Sequence, residues 1–251
     1  MSSVTYVFRS KESNMNDLAK YYEESLYPLQ NGVLSIIQKS KTPFFLTGGT
    51  ALSRFYTHHR YSDDLDFFVI NDAQYLMYVN TLLRLLFEAE NEGLFGIDRK
   101  ELHRSKDYTK ILVVDINDPS VELKIDLVND VAQYYGQVTD DPVFGKIDNL
   151  CNILSNKITA LFRSEPKDVA DIHAIAKCLK FNWKILVAEA KSKEIGVEPE
   201  VVYELLMSFP IRYFDAIKWI KLSNKEQFEN DIKKIADDIL FGRDNSLYEG
   251  F

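Results

Sequence analysis

Apolar runs of strand length are confined to the first part of this chain, and from about residue 148 onward every periodic segment is helical. That order describes an α+β protein, a mixed sheet with flanking helices followed by a helical domain. Residues 14–39 carry Leu18, Tyr21, Tyr22, Leu26, Leu29, Val33, Ile36 and Ile37 at roughly helical spacing, with Pro28 expected to kink or split the helix. Residues 44–47 then read as a short strand, Gly48-Gly49-Thr50 as a tight turn, and the stretch through about Tyr56 as a helix. A second strand is predicted over 65–70, and a long helix over 72–92 with Leu76, Val79, Leu82, Leu83, Leu86 and Phe87 as its apolar stripe. The runs 111–116 and 121–128 flank Asn117-Asp118-Pro119-Ser120 and read as an antiparallel hairpin. Helices are expected over 149–163, 166–180, 182–194, 199–208 and 225–240, which sets a boundary near Gly145–Asn149 and two units, residues 1–147 and 148–251.

The chemistry is concentrated in FFLTGGTALSRFYTHHRYSDDLDFFV, residues 44–69. Gly48 and Gly49 end a strand where a helix begins; without Cβ atoms, their backbone N–H groups can approach an anion closely, with the Thr50 hydroxyl beside them. A strand-to-helix turn with unusual backbone angles explains the same pair without a ligand. Asp64-Leu65-Asp66 opens the next strand, where the two-residue period puts both carboxylates on one face and Leu65 on the other. Two hard oxygen donors beside a phosphate-binding turn suit magnesium, which takes one or two protein carboxylates together with substrate phosphates. An exposed acidic strand edge, with Asp63 as a third negative charge, is the alternative. Farther on, Glu122, Lys124 and Asp126 share a strand face; Asp126 is the candidate third carboxylate, as metal ligand or general base, and Glu122 its substitute. A polar outer face of an antiparallel strand accounts for them equally.

Gly48-Gly49-Thr50-Ala51-Leu52 followed by Arg60-x-Ser62-x-Asp64-Leu65-Asp66-Phe67 resembles the AbiEii/AbiGii toxin family of nucleotidyltransferases, within the polymerase-β-like superfamily. A second segment, Lys157 to Arg163 and then Lys167-Asp168-Val169-Ala170-Asp171-Ile172, resembles that family's later motifs. The likeness is sharp over 48–67, looser over 157–172 and faint beyond about 180. It implies a nucleotidyltransferase-type mixed sheet, a nucleoside triphosphate substrate and a divalent ion, Mg2+ or Mn2+, on Asp64, Asp66 and Asp126. It also implies phosphate contacts from Gly48, Gly49 and Thr50, support from Arg60 and Ser62 for the loop entering the strand, and triphosphate neutralisation by Lys157, with Asp168 and Asp171 orienting that lysine or the nucleotide. Lys157 on a solvated face and Asp168 as a first-turn acid after Pro166 are the unremarkable readings of the same residues. Some family members add nucleotides to the acceptor end of tRNA, and many work beside an antitoxin protein, so both become expected partners. A small-molecule or protein acceptor, or a non-catalytic nucleotide-binding module, would preserve the same motif.

Net charge sharpens the acceptor question without answering it. At −8, with a pI near 5.1, the chain is no nonspecific nucleic-acid coat, although a local basic groove is compatible with that balance. Two cysteines without paired spacing argue for a reducing compartment, and the start MSSVTYVFRSKES lacks a signal-peptide core. With no apolar run near the ~20 residues of a membrane span, the expectation is a cytoplasmic protein with no membrane partner. His58-His59 lacks the spacing of a helical metal site and is expected in a surface loop, His173 is expected to pack or face solvent, and Tyr134-Tyr135 to stack on a base or lie buried.

Overall fold

A computed structural model describes residues 15–221 and 223–249; the first position of the helix expected over 14–39 and the residues 1–13 quoted above lie outside the described residues. From residue 15 the chain is helical, widening into π turns at Tyr22–Leu26 and continuing as an α-helix, Tyr27–Ser40, together α1. Pro28 therefore does not split the helix: it sits in the first turn after the π segment, where its missing N–H is tolerated. Next come β1, Phe45–Thr47, and α2, a helix that starts at Gly48–Thr50 and runs on as π turns through Ala51–Thr57. β2 is Leu65–Ile70 and α3 is Tyr75–Asn91, which buries Tyr75 rather than the expected Leu76. Then follow β3, Gly96–Ile97; β4, His103–Arg104; β5, Tyr108–Val114; β6, Glu122–Asp130; β7, Thr139–Asp141; and β8, Gly145–Ile147. The helical part holds α4, Leu150–Ala160, with a 3-10 turn at Leu161–Arg163; α5, Pro166–Cys178; α6, Trp183–Lys193; α7, Pro199–Met207; a 3-10 turn at Ile211–Ala216; and α8, Lys225–Leu240.

The sheet is mixed, in the order β3-β5-β6-β2-β1-β8-β7, with β4 beside β5. β5 and β6 form the expected antiparallel hairpin, while β2 runs antiparallel to β1 and parallel to β6. Strict alternation explains its two faces. Leu65, Phe67 and Val69 on β2 and Leu123, Ile125 and Leu127 on β6 are buried in the core with Val33 of α1 and Val79, Leu82 and Leu86 of α3. Each such side chain contributes roughly 1.5–3 kcal/mol, so the register is held firmly and the intervening Asp66, Phe68, Lys124 and Asp126 are committed to the opposite face.

That second face looks toward the helical part. Asn149 and Asn182 cap the N-termini of α4 and α6 by accepting from the backbone N–H of Asn152 and Lys184. α4 packs between α5 and α6, and one hydrophobic core runs continuously from the sheet through these helices. The chain also returns to the sheet side late: Tyr61 N–H donates to Lys218 O at 2.8 Å, and Lys218 Nζ reaches Asp63 at 2.8 Å. No helix among the described residues is long and apolar enough to cross a membrane.

Candidate active site

The turn after β1 fixes the site's floor. Gly48 has φ +66, and a Cβ there would lie 3.2 Å from Asp66 Cγ and closer still to its Oδ2. Left-handed backbone and contact with a carboxylate both require glycine. At Gly49 a Cβ would stand 2.5 Å from Arg60 Nη2 and 3.0 Å from Ser62 Oγ. The glycines thus let the 60–66 segment close against the start of α2. Thr50 is fully buried; its hydroxyl lies 2.9 Å from Ser62 Oγ and contacts the Asp64 carbonyl. This corrects the expectation that the Thr50 hydroxyl faces phosphate: it braces the loop from inside, and Ser62 and Arg60, also buried, lie with it. Gln30 of α1 adds bonds from Nε2 to the carbonyls of Ser62 and Asp63, at 3.1 and 2.9 Å, a contribution no local pattern signals.

Asp66 and Asp126 are direct register partners on parallel β2 and β6, and Asp64 immediately precedes β2. Lys124 Nζ stands 3.0 Å from Asp126 Oδ2 and 3.3 Å from Asp64 Oδ2, while the Tyr108 hydroxyl donates to Asp126 Oδ1 at 2.9 Å. Burial, and next the Asp126 charge, push the Asp66 carboxyl up to about 6, with Lys157 pulling the other way. Lys124 is raised, because its bonds to Asp126 and Asp64 outweigh a burial effect that by itself would lower it. Two of the three carboxylates, Asp64 and Asp126, therefore share one ammonium, and Asp66 is not in direct contact with it. Among the described residues, no three or more His, Cys, Asp or Glu side chains are placed to hold a metal ion by themselves. The donor set nevertheless fits a cation: the Lys124 ammonium already bridges two of the carboxylates, and Asp66 is left short of positive charge. One or two carboxylates are what a magnesium ion brought partly by substrate phosphates needs. Glu122, two residues along β6 and opposite Val114, is exposed and outside this row.

Thr47, Gly48 and Asp66 form one wall of a cleft of ≈ 430 Å³, faced by Asn156, Lys157, Arg163 and Lys193. Behind the helical wall lies a second ionic cluster. Arg60 grips Asp171 with two bonds, Nε–Oδ1 at 2.7 Å and Nη2–Oδ2 at 2.8 Å. Lys157 Nζ lies 2.7 Å from Asp171 Oδ2 and 2.9 Å from Asp168 Oδ1, and Arg163 clasps Asp168 at 2.7 and 2.8 Å. Burial alone would raise Asp171, but Arg60 and Lys157 hold it well below the usual carboxylate range. Lys157 is raised in turn, as Asp171 and Asp168 overcome its desolvation. His59 joins through Nε2, 2.9 Å from Asp171, and burial pushes it down. The surface-loop expectation thus fits exposed His58 and fails for His59, which the loop turns inward. His173 packs on Phe228 and bonds Asp231 at 3.0 Å; Tyr134 bonds Asp148 at 3.0 Å and Tyr135 bonds Ser192 at 2.8 Å.

The cleft therefore unites Gly48, Asp66 and Lys157, with Asp64 and Asp126 beside Asp66. Asp168, Asp171 and Arg60 stand behind Lys157 as its ionic support. Asn156 and Lys193 escaped sequence reasoning, because a polar residue and a terminal lysine on amphipathic helices look like solvated positions.

The family profile described as "Nucleotidyl transferase AbiEii toxin, Type IV TA system" matches residues 34–247. Among solved structures, MenT4, a nucleotidyltransferase toxin of Mycobacterium tuberculosis H37Rv, is similar at 15% identity and TM-score 0.63, over 90% of this chain and 89% of that one. JHP933 of Helicobacter pylori is similar at 20% identity and TM-score 0.57, over 87% of this chain and 93% of that one. A provisionally assigned nucleotidyltransferase of H. pylori is similar at 21% identity and TM-score 0.59, over 87% and 96% of the two chains. These likenesses show a shared fold. No curated protein matches the chain.

Proposed function

The chain belongs to the AbiEii nucleotidyl transferase toxin family and so is a nucleotidyltransferase; from that premise we propose that it transfers a nucleoside monophosphate from a triphosphate to RNA, with the acceptor end of tRNA as the target. The observation that carries this reading is Asp66, a carboxylate raised to about 6 by burial and by Asp126, set against the Gly48 turn on the floor of a cleft whose far wall is basic. Asp64, Asp66 and Asp126 would hold the divalent ion, Mg2+ or Mn2+, together with substrate phosphates. When bound, that ion supplies positive charge against the triphosphate and eases ionisation of the acceptor hydroxyl.

The chain's own residues do the rest. Backbone N–H groups of Gly48 and Gly49, at the start of α2, receive phosphate oxygens. Thr50, Ser62 and Arg60 keep that turn closed on the acidic strand, acting on the nucleotide through the backbone they hold. Lys157 presents positive charge to the phosphates from the helical wall, and Asp168 and Asp171 orient it. Asp126 accepts the proton of the attacking hydroxyl at a carboxylate oxygen. The acceptor oxygen then bonds the α-phosphorus while the α–β anhydride bond breaks, and pyrophosphate leaves with the bonding pair. In this reading residues 1–147 supply the carboxylate wall and 148–251 the cationic wall. The protein acts in the cytoplasm as the toxin of a type IV pair, opposed by a cognate antitoxin.

The test is incubation of the purified chain with each α-labelled triphosphate, Mg2+ or Mn2+, and separately tRNA, other RNA, cellular protein and small-metabolite extract. Label in tRNA confirms the acceptor; label only in protein or a small molecule keeps the enzyme and replaces the acceptor; label nowhere contradicts the proposal.

A further inference from the structure

Positive charge in the cleft is unevenly committed. Lys157 and Arg163 line it, but their heads are bound to Asp168 and Asp171. Lys193, in the last turn of α6, is held differently. Its Nζ donates to Asn152 Oδ1, Ser155 Oγ and Asn156 Oδ1, each at 2.7 Å, and it makes no ion pair among the described residues. An ammonium has three donors, so three neutral acceptors fix its position and leave its charge unneutralised. One turn back, α6 offers Glu189, the usual i−4 partner of a helical lysine. Lys193 turns from it toward α4, and Glu189 Oε2 is left buried without a hydrogen-bond partner. The Tyr135 ring centroid, 5.7 Å from Nζ, closes another side. A half-buried ammonium with no carboxylate at ion-pair distance is costly to keep, and although Asp130 and Glu194 also line the cleft, an anion at Lys193 itself would offset that cost.

We propose that Lys193 is a phosphate-binding cation of this cleft in addition to Lys157, its ammonium held by Asn152, Ser155 and Asn156 to meet a phosphate group that a substrate brings in. The inference rests on reading the cleft as a nucleotidyl-transfer site. A triphosphate and an RNA backbone share this chemistry, and either can supply the phosphate. Titration supports the assignment. Burial pushes Lys193 down to about 8, opposed by Asp148 ahead of α4, Asp130 on β6 and Glu189 on α6. A lowered lysine is charged below its pKa, so the phosphate contact is present at pH 7 and is lost as pH rises through about 8.

Two titrations of the full chain separate the sources: a non-hydrolysable triphosphate with Mg2+ and no RNA, and total tRNA with no nucleotide. Lys193→Met is expected to weaken one of them about tenfold or more, and Lys193→Arg to restore most of the affinity. A loss confined to the triphosphate arm assigns the nucleotide's phosphate; a loss confined to the tRNA arm assigns the acceptor's. In the affected arm the wild type is expected to weaken several-fold between pH 7 and 9.5, while Lys193→Arg, whose guanidinium stays charged, stays flat. Unchanged affinity of Lys193→Met in both arms overturns the proposal. Should that variant fail to fold, identical pH profiles for wild type and Lys193→Arg overturn it instead. Wild-type protein that binds through Lys193 yet transfers no label to any acceptor would count against the nucleotidyl-transfer reading and not against Lys193.

Discussion

Two ionic clusters sit a few side chains apart in this molecule, built from the same residue types and balanced in opposite ways. Behind the helical wall, Asp168 and Asp171 are matched by Arg60, Lys157 and Arg163, with two-point guanidinium contacts on both carboxylates, and Asp171 is held far below its ordinary pKa. In front, Asp64 and Asp126 share Lys124, while Asp66, which makes no ion pair among the described residues, is pushed up by burial and by Asp126 against the pull of Lys157. The matched cluster ties the 59–62 loop to α4 and α5; the mismatched one lies at the cleft with charge to spare. A carboxylate's role here is decided by whether cations surround it, and not by its residue type.

The comparison breaks first if the rear cluster proves dispensable. Asp171→Asn leaves Arg60 buried without its counter-charge and Lys157 with Asp168 alone, and is expected to cost about 3–5 kcal/mol. In a domain of this size that lowers the melting temperature by about 6–20 °C. A loss below about 1 kcal/mol would show that the network is not what joins the two walls.

The front cluster is expected to answer with the opposite sign. Asp66 has a folded-state pKa above its unfolded one, so in metal-free protein its ionisation opposes folding as pH rises from about 4 through about 6. Asp66→Asn removes that opposition. The variant should match the wild type in stability near pH 4 and exceed it by about 1–2 kcal/mol at pH 7. Added Mg2+ should narrow the gap by stabilising only the wild type. A destabilised Asp66→Asn at pH 7 would place Asp66 among the structural carboxylates.

A smaller effect separates the clusters in acid. Asp171 has a depressed folded-state pKa, so its contribution is present above the unfolded value near 4 and is lost as pH falls below it. Asp66, at about 6, already holds its proton before this span begins, so the repulsion around it is relaxed throughout. Unfolding monitored from pH 5 to 3 should therefore show the 59–62 loop and α5 losing amide protection before β2 and β6. The reverse order would contradict the assignment of the two clusters.

Most of this was legible where a period or a motif is local. The strand at 65–70, the hairpin expected at 111–116 and 121–128 and found at Tyr108–Val114 and Glu122–Asp130, and the helices from α4 to α8 follow from alternation and helical spacing, and Asp64-Leu65-Asp66 from the two-residue pleat. The two- and three-residue strands β3, β4, β7 and β8 are too short for any period to register; Gly145–Ile147 is a strand through its partners, β7 antiparallel on one side and β1 parallel on the other. Lys157 and Asp168 stood out through family likeness, but their mutual neutralisation did not, since it depends on Arg60 meeting Asp171 across 111 positions of sequence. Lys193 was invisible for the same reason: its acceptors lie 37 to 41 residues away, and alone it looks like the ordinary cation at a helix C-terminus. Thr50 shows the limit of motif reading, since the residue is in the motif while its hydroxyl points away from the cleft.

The central claim is that the mismatched carboxylates serve chemistry at a cost to stability. The most direct test measures transfer of α-label from a triphosphate to tRNA and the melting temperature on the same samples of wild type and Asp66→Asn. The account expects transfer to fall by at least about 100-fold while the melting temperature holds or rises. Asp66→Asn that keeps wild-type transfer, or loses transfer only because it unfolds, would contradict it.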